Sequence, residues 1–492
     1  MNQVRPLRPD ERLCFLHIVK TAGSSFSHHL KNQFNAEDIC PARYWPDLLA
    51  MPEKERNRYR LISGHFAHDI ANYLDDRSTR YVTMLRDPVA RTISVFEYAQ
   101  WFVNKAGHEH DYGRMSGHID KFRRVMDEGL EAFVMNEDPD VQLAISNTQT
   151  LMLAAGDPRV MPDKIGKEML DKAKAHLENY AYFGLTERMQ HSLSLLSYTF
   201  GWRPFRSLEV NTTPNRSAVS DLPSRLVELI IEKNHLDMEL YVHACELLEQ
   251  RYAQMLDDLN ARFPVRRQPL DVQQQLHDQL EKNYEQCFRE NPANAVTSNF
   301  SKSLGSFPVG EGWWQWINKR SYRWSGPGTV STLDIPVSTD KPVTVTFEIM
   351  RWISAGVLRS LRLKANGREV PRILGAKANG EKFMMAHLSP DDLQSDRPFV
   401  RLELAVDRTI SYRSFNPTVF LDEKVGVAIR SIDIRGEDGK AYTVRAAIHA
   451  PLWRLLISLY MIRAQLLAPV WRLLIPLYAD LKGLGKSGSK VR

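Results

Sequence analysis

Residues 12–26 read RLCFLHIVKTAGSSF, and the fold turns on how they are read. The run RLCFLHI is short and mostly apolar, as a strand buried on both faces would be. Small residues at Ala22, Gly23, Ser24 and Ser25 make a turn, and a helical stretch follows to about Phe34. In such a turn several backbone N–H groups converge on a phosphate, helped by the positive end of the helix. Lys20 adds a mobile positive charge, and the hydroxyls of Thr21, Ser24 and Ser25 add donors. This is not a Walker A loop, because the first glycine of GxxxxGK[ST] is missing and the lysine precedes the glycine. An ordinary polar turn fits the segment equally well, so the two readings stay open at this point.

The same grammar recurs further along. Leu61–Ile62 ends in Ser63-Gly64-His65. Residues 81–85 (YVTML) run into Arg86-Asp87-Pro88, then a helical pattern through Trp101. Residues 182–185 (YFGL) supply a fourth short strand, and 187–200 and 223–259 carry the helical period. Apolar runs that each end in a turn and a helix predict a parallel α/β sheet. Asp87 suits the N-cap and Pro88 the first helical position. Arg86 then stands at a strand's carboxyl end, where ligands bind in open α/β sheets. Ser94 lies about two helical turns on. An arginine plus a serine hydroxyl suits a second phosphate; a salt-bridged arginine and a packing serine are the structural alternatives.

The pair KTAGSSF (20–26) and LRDPVARTIS (85–94) resembles the 5′-phosphosulfate and 3′-phosphate segments of sulfotransferases that use 3′-phosphoadenosine-5′-phosphosulfate (PAPS). It is most similar to the heparan sulfate 6-O-sulfotransferase-like proteins of sulfotransferase family 2. Residues 147–154 (NTQTLMLA), 182–187 (YFGLTE), 211–213 (NTT) and 234–241 (NHLDMELY) extend the resemblance across about 12–257. Val19 and Ala22 depart from the proline and glycine that many members carry, without removing a polar group. The resemblance implies that Lys20 contacts the 5′-phosphosulfate and steadies the leaving group. It implies that Thr21, Ala22, Gly23, Ser24, Ser25 and Phe26 form the loop, and that Arg86 and Ser94 hold the 3′-phosphate. Asn211 to Arg216 would close over the donor.

An alcohol is a poor nucleophile at neutral pH, so transfer to it gains from a general base. Of fifteen histidines the resemblance selects His65, just past a strand end, with His68 one helical turn later as the substitute. On its residues alone, without the resemblance, a packed or surface histidine is the favoured reading of His65. No metal is expected. The tract His108-Glu109-His110-Asp111 has ligand-type side chains but sits in a polar, glycine-flanked stretch, and reads as a solvated loop.

The remainder of the 492 residues argues for two or three domains. The expected division is 1–260, a PAPS-dependent sulfotransferase domain; 261–305, a helical linker; 306–446, a β-sandwich; and 447–492, an amphipathic basic tail. Short β-rich runs at 330–337, 342–349, 400–406 and 426–434 carry the sandwich expectation. Trp313, Trp314 and Trp324 either fill its core, the favoured reading, or stack on sugars. The tail repeats APLWRLLI (450–457) as APVWRLLI (468–475). It holds seven Lys/Arg against Asp480, which equals the net charge of +6 of the whole chain. The rest is neutral, so a nucleic-acid partner is not expected. The tail reads either as an interfacial helix pair on an anionic membrane or as helices packed on the protein. Cys14, Cys40, Cys245 and Cys287 form no CxxC pair and suit a reducing compartment, so a place in the cytoplasm or at the inner membrane face is expected.

The expectation is thus an α/β, P-loop-like parallel sheet flanked by helices, followed by a β-sandwich and C-terminal amphipathic helices. The expected activity is transfer of a sulfuryl group from PAPS to a carbohydrate or lipid-linked glycan hydroxyl. The rivals are a nucleotide-dependent kinase and a non-catalytic glycan-binding protein.

Overall fold

The computed structural model describes residues 6–106, 126–154, 166–205, 219–264 and 271–436, apart from 298, 305–308, 315–321, 338–339, 378–379 and 416–422. Four strands, β1 (Arg12–Leu16), β2 (Leu61–Gly64), β3 (Thr79–Leu85) and β4 (Tyr182–Leu185), form one sheet in the order β2-β1-β3-β4. Every pairing is parallel. Parallel neighbours need crossover connections, and the helices supply them. The site-bearing or longer helices are α1 (Gly23–Lys31), α2 (Pro88–Ala106), α3 (Thr148–Ala154), α4 (Lys167–Asn179), α5 (Met189–Phe200), α6 (Ser224–Lys233), α7 (His235–Arg262) and α8 (Val272–Glu290).

All of β1, β2 and β4 is buried, which accounts for their unbroken apolar runs. The charged residue among them, Arg12, is fully buried but paired with Asp75 at 2.8 Å. The chain goes from β1 outward to β2 and then across to β3 on the other side. The switch in direction opens a crevice between the carboxyl ends of β1 and β3.

Among the described residues downstream, antiparallel strands make two larger sheets and a two-stranded one that pairs Ile410–Ser411 with Lys424–Val425. One of the larger sheets contains Val330–Ile335, Arg362–Ala365, Arg368–Val370 and Val400–Ala405. The other is built on Val343–Trp352, Lys382–Leu388 and Val427–Gly436. Their inward residues share a single apolar core with Trp313, Trp314 and Trp324, so these tryptophans fill the interior. The stretch expected to link the two parts is occupied by α8, which buries Leu280 in the α/β core. The same helix places Glu281 3.2 Å from Arg401, and Tyr284 donates to Asp334 at 3.0 Å. No helix among the described residues is long and apolar enough to cross a membrane. The tail expected at 447–492 lies outside the described residues.

Candidate active site

The parallel register decides which side chains meet. Leu16 of β1 lies beside Gly64 of β2, so the next residues, His17 and His65, emerge side by side at the carboxyl edge. The His17 N–H donates to Gly64 O at 2.9 Å, and the His65 N–H donates to Arg43 O at 2.8 Å. Gly64 is required by that crossing, since a Cβ there would meet Arg43 O at 2.5 Å. The His65 ring is held between His17 and Tyr44, with centroids 4.5 and 5.2 Å away. Its Nδ1 lies 2.7 Å from His17 O. A carbonyl can only accept, so Nδ1 carries the proton and Nε2 presents its lone pair. Burial pushes the His65 imidazole below its ordinary range; the carbonyl bond opposes that shift, and Arg43 reinforces it. The ring therefore stays neutral and able to take a proton at neutral pH.

His68 is placed differently. Its Nδ1 shares a hydrogen bond with Tyr180 Oη at 2.9 Å, and its ring stacks on His176 at 3.5 Å and on Tyr81 at 4.7 Å. Burial, and then His176, push it down to about 4. It belongs to a closed aromatic stack rather than to the edge that carries His65.

The expected donor loop is shorter than its sequence suggests. Lys20 and Ala22 take the left-handed conformation, with φ of 67° and 59°, and α1 begins at Gly23. Gly23, Ser24 and Ser25 are thus the first helical turn, and Ala22 gives that turn no side-chain cap. Two residues depart from the loop role. The Thr21 hydroxyl is buried and donates to Ile18 O at 2.9 Å, bracing the turn. Phe26 is in the core, its ring 4.9 Å from Phe15 and 5.5 Å from Tyr182, and its N–H donates to Ala22 O. What remains for an anion is the helix start at Gly23–Ser25, exposed Ser24, and Lys20, whose Nζ lies 4.4 Å over the Tyr98 ring.

Arg86 follows β3, and its Nη1 donates to Lys20 O at 3.2 Å, spanning the β1–β3 crevice. As the spacing predicts, Asp87 caps α2, accepting from Ala90 N–H at 2.8 Å. Ser94 is buried on α2, and its Oγ has no hydrogen-bond partner among the described residues. A buried hydroxyl left unpaired costs about 1–3 kcal/mol. An anionic oxygen accepting from it would offset that, so a phosphate fits this position.

Sequence reasoning missed what holds Arg86 in place. Gln149 clamps its peptide unit, accepting from Arg86 N–H at 2.9 Å and donating to Arg86 O at 2.8 Å. Asp237 caps α3, accepting from Gln149 N–H at 3.0 Å and Thr150 N–H at 2.7 Å. Asn147, at φ 47°, accepts from Leu236 and Asp237 N–H and donates its own N–H to Asn234 Oδ1. The stretches 147–154 and 234–241 therefore interlock as a bracket behind the arginine. Glu187, just past β4, lies 3.7 Å from Arg86 Nε and accepts from Tyr241 Oη at 2.7 Å. The tract 108–111, expected as a solvated loop, and 211–216, expected as a donor cover, lie outside the described residues.

These residues share one place: the carboxyl edge of an open α/β sheet, where a helix start, a fixed arginine and an imidazole come together. The model of the sulfotransferase family matches residues 7–243 of the chain. It is 25% identical over 293 residues to heparan-sulfate 6-O-sulfotransferase 2 of Homo sapiens, covering 50% of this chain and 46% of that protein. It is 26% identical over 305 residues to heparan-sulfate 6-O-sulfotransferase 1-B of Danio rerio, covering 52% and 71%. For heparan-sulfate 6-O-sulfotransferase 1 of Homo sapiens the identity is 26% over 293 residues, covering 50% and 67%. The chain thus spans about half the length of the first of these relatives.

Proposed function

We propose that the chain transfers a sulfuryl group from PAPS to a hydroxyl of a carbohydrate or glycolipid, with His65 as general base. The observation that carries this reading is the His65–His17 carbonyl bond, which leaves Nε2 unprotonated at the edge where α1 begins. When bound, PAPS supplies an activated sulfuryl group on a good leaving group. The first turn of α1 and Lys20 hold its 5′ end and stabilise charge growing on the bridging oxygen. Arg86 and the unpaired Ser94 hydroxyl hold the 3′-phosphate. His65 Nε2 takes the proton of the acceptor hydroxyl. Tyr44, 52% exposed and stacked on His65, offers an aromatic face to a sugar ring.

The relatives' names direct the acceptor reading toward glycans. The division into a sulfotransferase unit, a β-sandwich and a basic tail on an anionic membrane is part of the same proposal, and for the tail it rests on the sequence alone. Calorimetry with the full chain tests the donor site. Arg86→Ala is expected to weaken 3′-phosphoadenosine-5′-phosphate (PAP) about 10- to 100-fold, the usual scale for a hydrogen bond to a charged group. AMP, lacking the 3′-phosphate, should lose far less. Equal losses for both ligands remove the assignment.

A further inference from the structure

The base and the donor helix leave one imidazole unaccounted for. His17 sits between them. On one side its ring stacks 4.5 Å from His65, with the planes 27° apart. On the other, a Cβ on Gly23 would lie 2.0 Å from His17 Cδ2 and 2.2 Å from Nε2. The ring edge fills the space a side chain would need at the first residue of α1, so glycine is required there for lack of room. Phe15 backs the ring at 5.3 Å, which fixes its tilt. Neither ring nitrogen has a hydrogen-bond partner among the described residues, and the residue is half-buried. A polar ring fixed by packing on both sides, with its nitrogens unused, is placed to meet a ligand.

In an in-line displacement the attacking oxygen, the sulfur and the leaving oxygen stand in a row. His65 serves the first and the start of α1, with Lys20, serves the third. What lies between those two protein groups is the His17 ring. We propose that His17 donates an imidazole N–H to a non-bridging oxygen of the sulfuryl group during transfer. This rests on the sulfotransferase reading above. The acceptor O–H bond breaks and its proton passes to His65 Nε2. The acceptor O–S bond forms as the S–O bond to the 5′-phosphate breaks, and that electron pair leaves on the phosphate oxygen. His17 gives up no proton.

A neutral donor is what the surroundings favour. Burial, then His65, Arg43, Lys31 and Lys20, all disfavour a second proton on His17 and hold it well below the ordinary range. A neutral imidazole beside a helix N-terminus polarises an oxygen without adding a charge.

The test compares His17→Phe, which keeps a ring in the stack without an N–H, with His17→Gln, which keeps an N–H. Losing one donor of this kind costs about 100-fold or more in kcat. His17→Phe is expected to lose that much while PAP, which has no sulfuryl group, binds within about twofold of wild type. His17→Gln should recover about tenfold over His17→Phe. A His17→Phe kcat within about threefold of wild type, or a PAP affinity that falls in step with kcat, overturns the inference. If His17→Phe no longer binds PAP at all, His17→Gln decides: PAP bound normally with kcat within about tenfold of wild type supports the role, and any other result overturns it. Wild-type chain that binds PAP but transfers nothing removes the sulfotransferase reading as well. Transfer by wild type with an unchanged His17→Phe removes this inference alone.

Discussion

His65 and His68 stand three residues apart and end in opposite situations. The first is held by a carbonyl at Nδ1 and flanked by an exposed tyrosine, and its Nε2 has no hydrogen-bond partner among the described residues. The second is closed in: a phenol meets its Nδ1, and His176 covers its face at 3.5 Å. Burial lowers both, so pKa direction alone does not choose between them. The bond at Nδ1 does: the His17 carbonyl commits His65 Nδ1 as donor and leaves Nε2 to accept, whereas the His68–Tyr180 bond can run either way.

That contrast breaks most sharply on substitution. His65→Ala is expected to lower kcat by about two to four orders of magnitude, the scale of general-base removal. PAP affinity should stay nearly intact, since the base acts on the acceptor. Steady-state rates at saturating acceptor, beside PAP calorimetry, separate these terms. His68→Phe is expected to keep kcat within about threefold, because a ring still fills the stack. It should instead lower Tm by a few degrees, about what a loss near 1 kcal/mol gives in a domain of this size. Reversal of the two kcat results would move the base to His68.

The pH dependence sharpens the same comparison. A base must be unprotonated, and His65 is shifted below the ordinary histidine value of 6.5. The acid limb of kcat/KM should therefore fall below that pH, and a limb above it contradicts the neutral, buried ring. Stability follows a second route. His68 and His28 are held at about 4 and His29 at about 3, in each case mainly by burial. Unfolded, these rings take up protons near 6.5 while the folded ones do not. The unfolded state binds more protons in that window, so stability falls as pH drops from about 6.5 toward 4. Denaturant midpoints across the window measure it. A flat profile would mean that these rings protonate without opening the fold.

Much of the fold was legible because its causes are local. Buried apolar runs, Asp87-Pro88 at a helix start and Gly64 at a strand exit marked the strands and put Arg86 at a carboxyl end, while the family resemblance picked out His65. The details that stayed hidden depend on packing and on side-chain bonds that no sequence pattern marks. Phe26 belongs to the core because Phe15 and Tyr182 meet it there. Thr21 spends its hydroxyl on Ile18 O, which no periodicity announces. The helical run at 223–259 breaks at Asn234, whose side chain receives the N–H of Asn147, 87 residues earlier. Gln149 looked like one letter of a motif, and its clamp on Arg86 appears only when β3 and α3 are brought together.

The smallest expected effect concerns the tail, where the proposal rests on charge and pattern. Each basic residue near an anionic surface contributes about 1 kcal/mol. The full chain should co-sediment with anionic vesicles and release as salt rises, because the Debye length shrinks. A chain truncated at Ala450 should stay in solution with an unchanged Tm. No sedimentation by the full chain, with a lower Tm on truncation, would instead make the tail a packing element.

The central claim is that the edge carrying His17, Lys20, His65 and Arg86 transfers a sulfuryl group. Radiolabelled PAPS incubated with the full chain and a panel of glycans and lipid-linked sugars tests it most directly. Label should appear in an acceptor, with one PAP released for each sulfuryl group transferred, and His65→Ala should abolish most of it. Tight PAP binding with no label in any acceptor, or equal labelling by His65→Ala, would contradict the account.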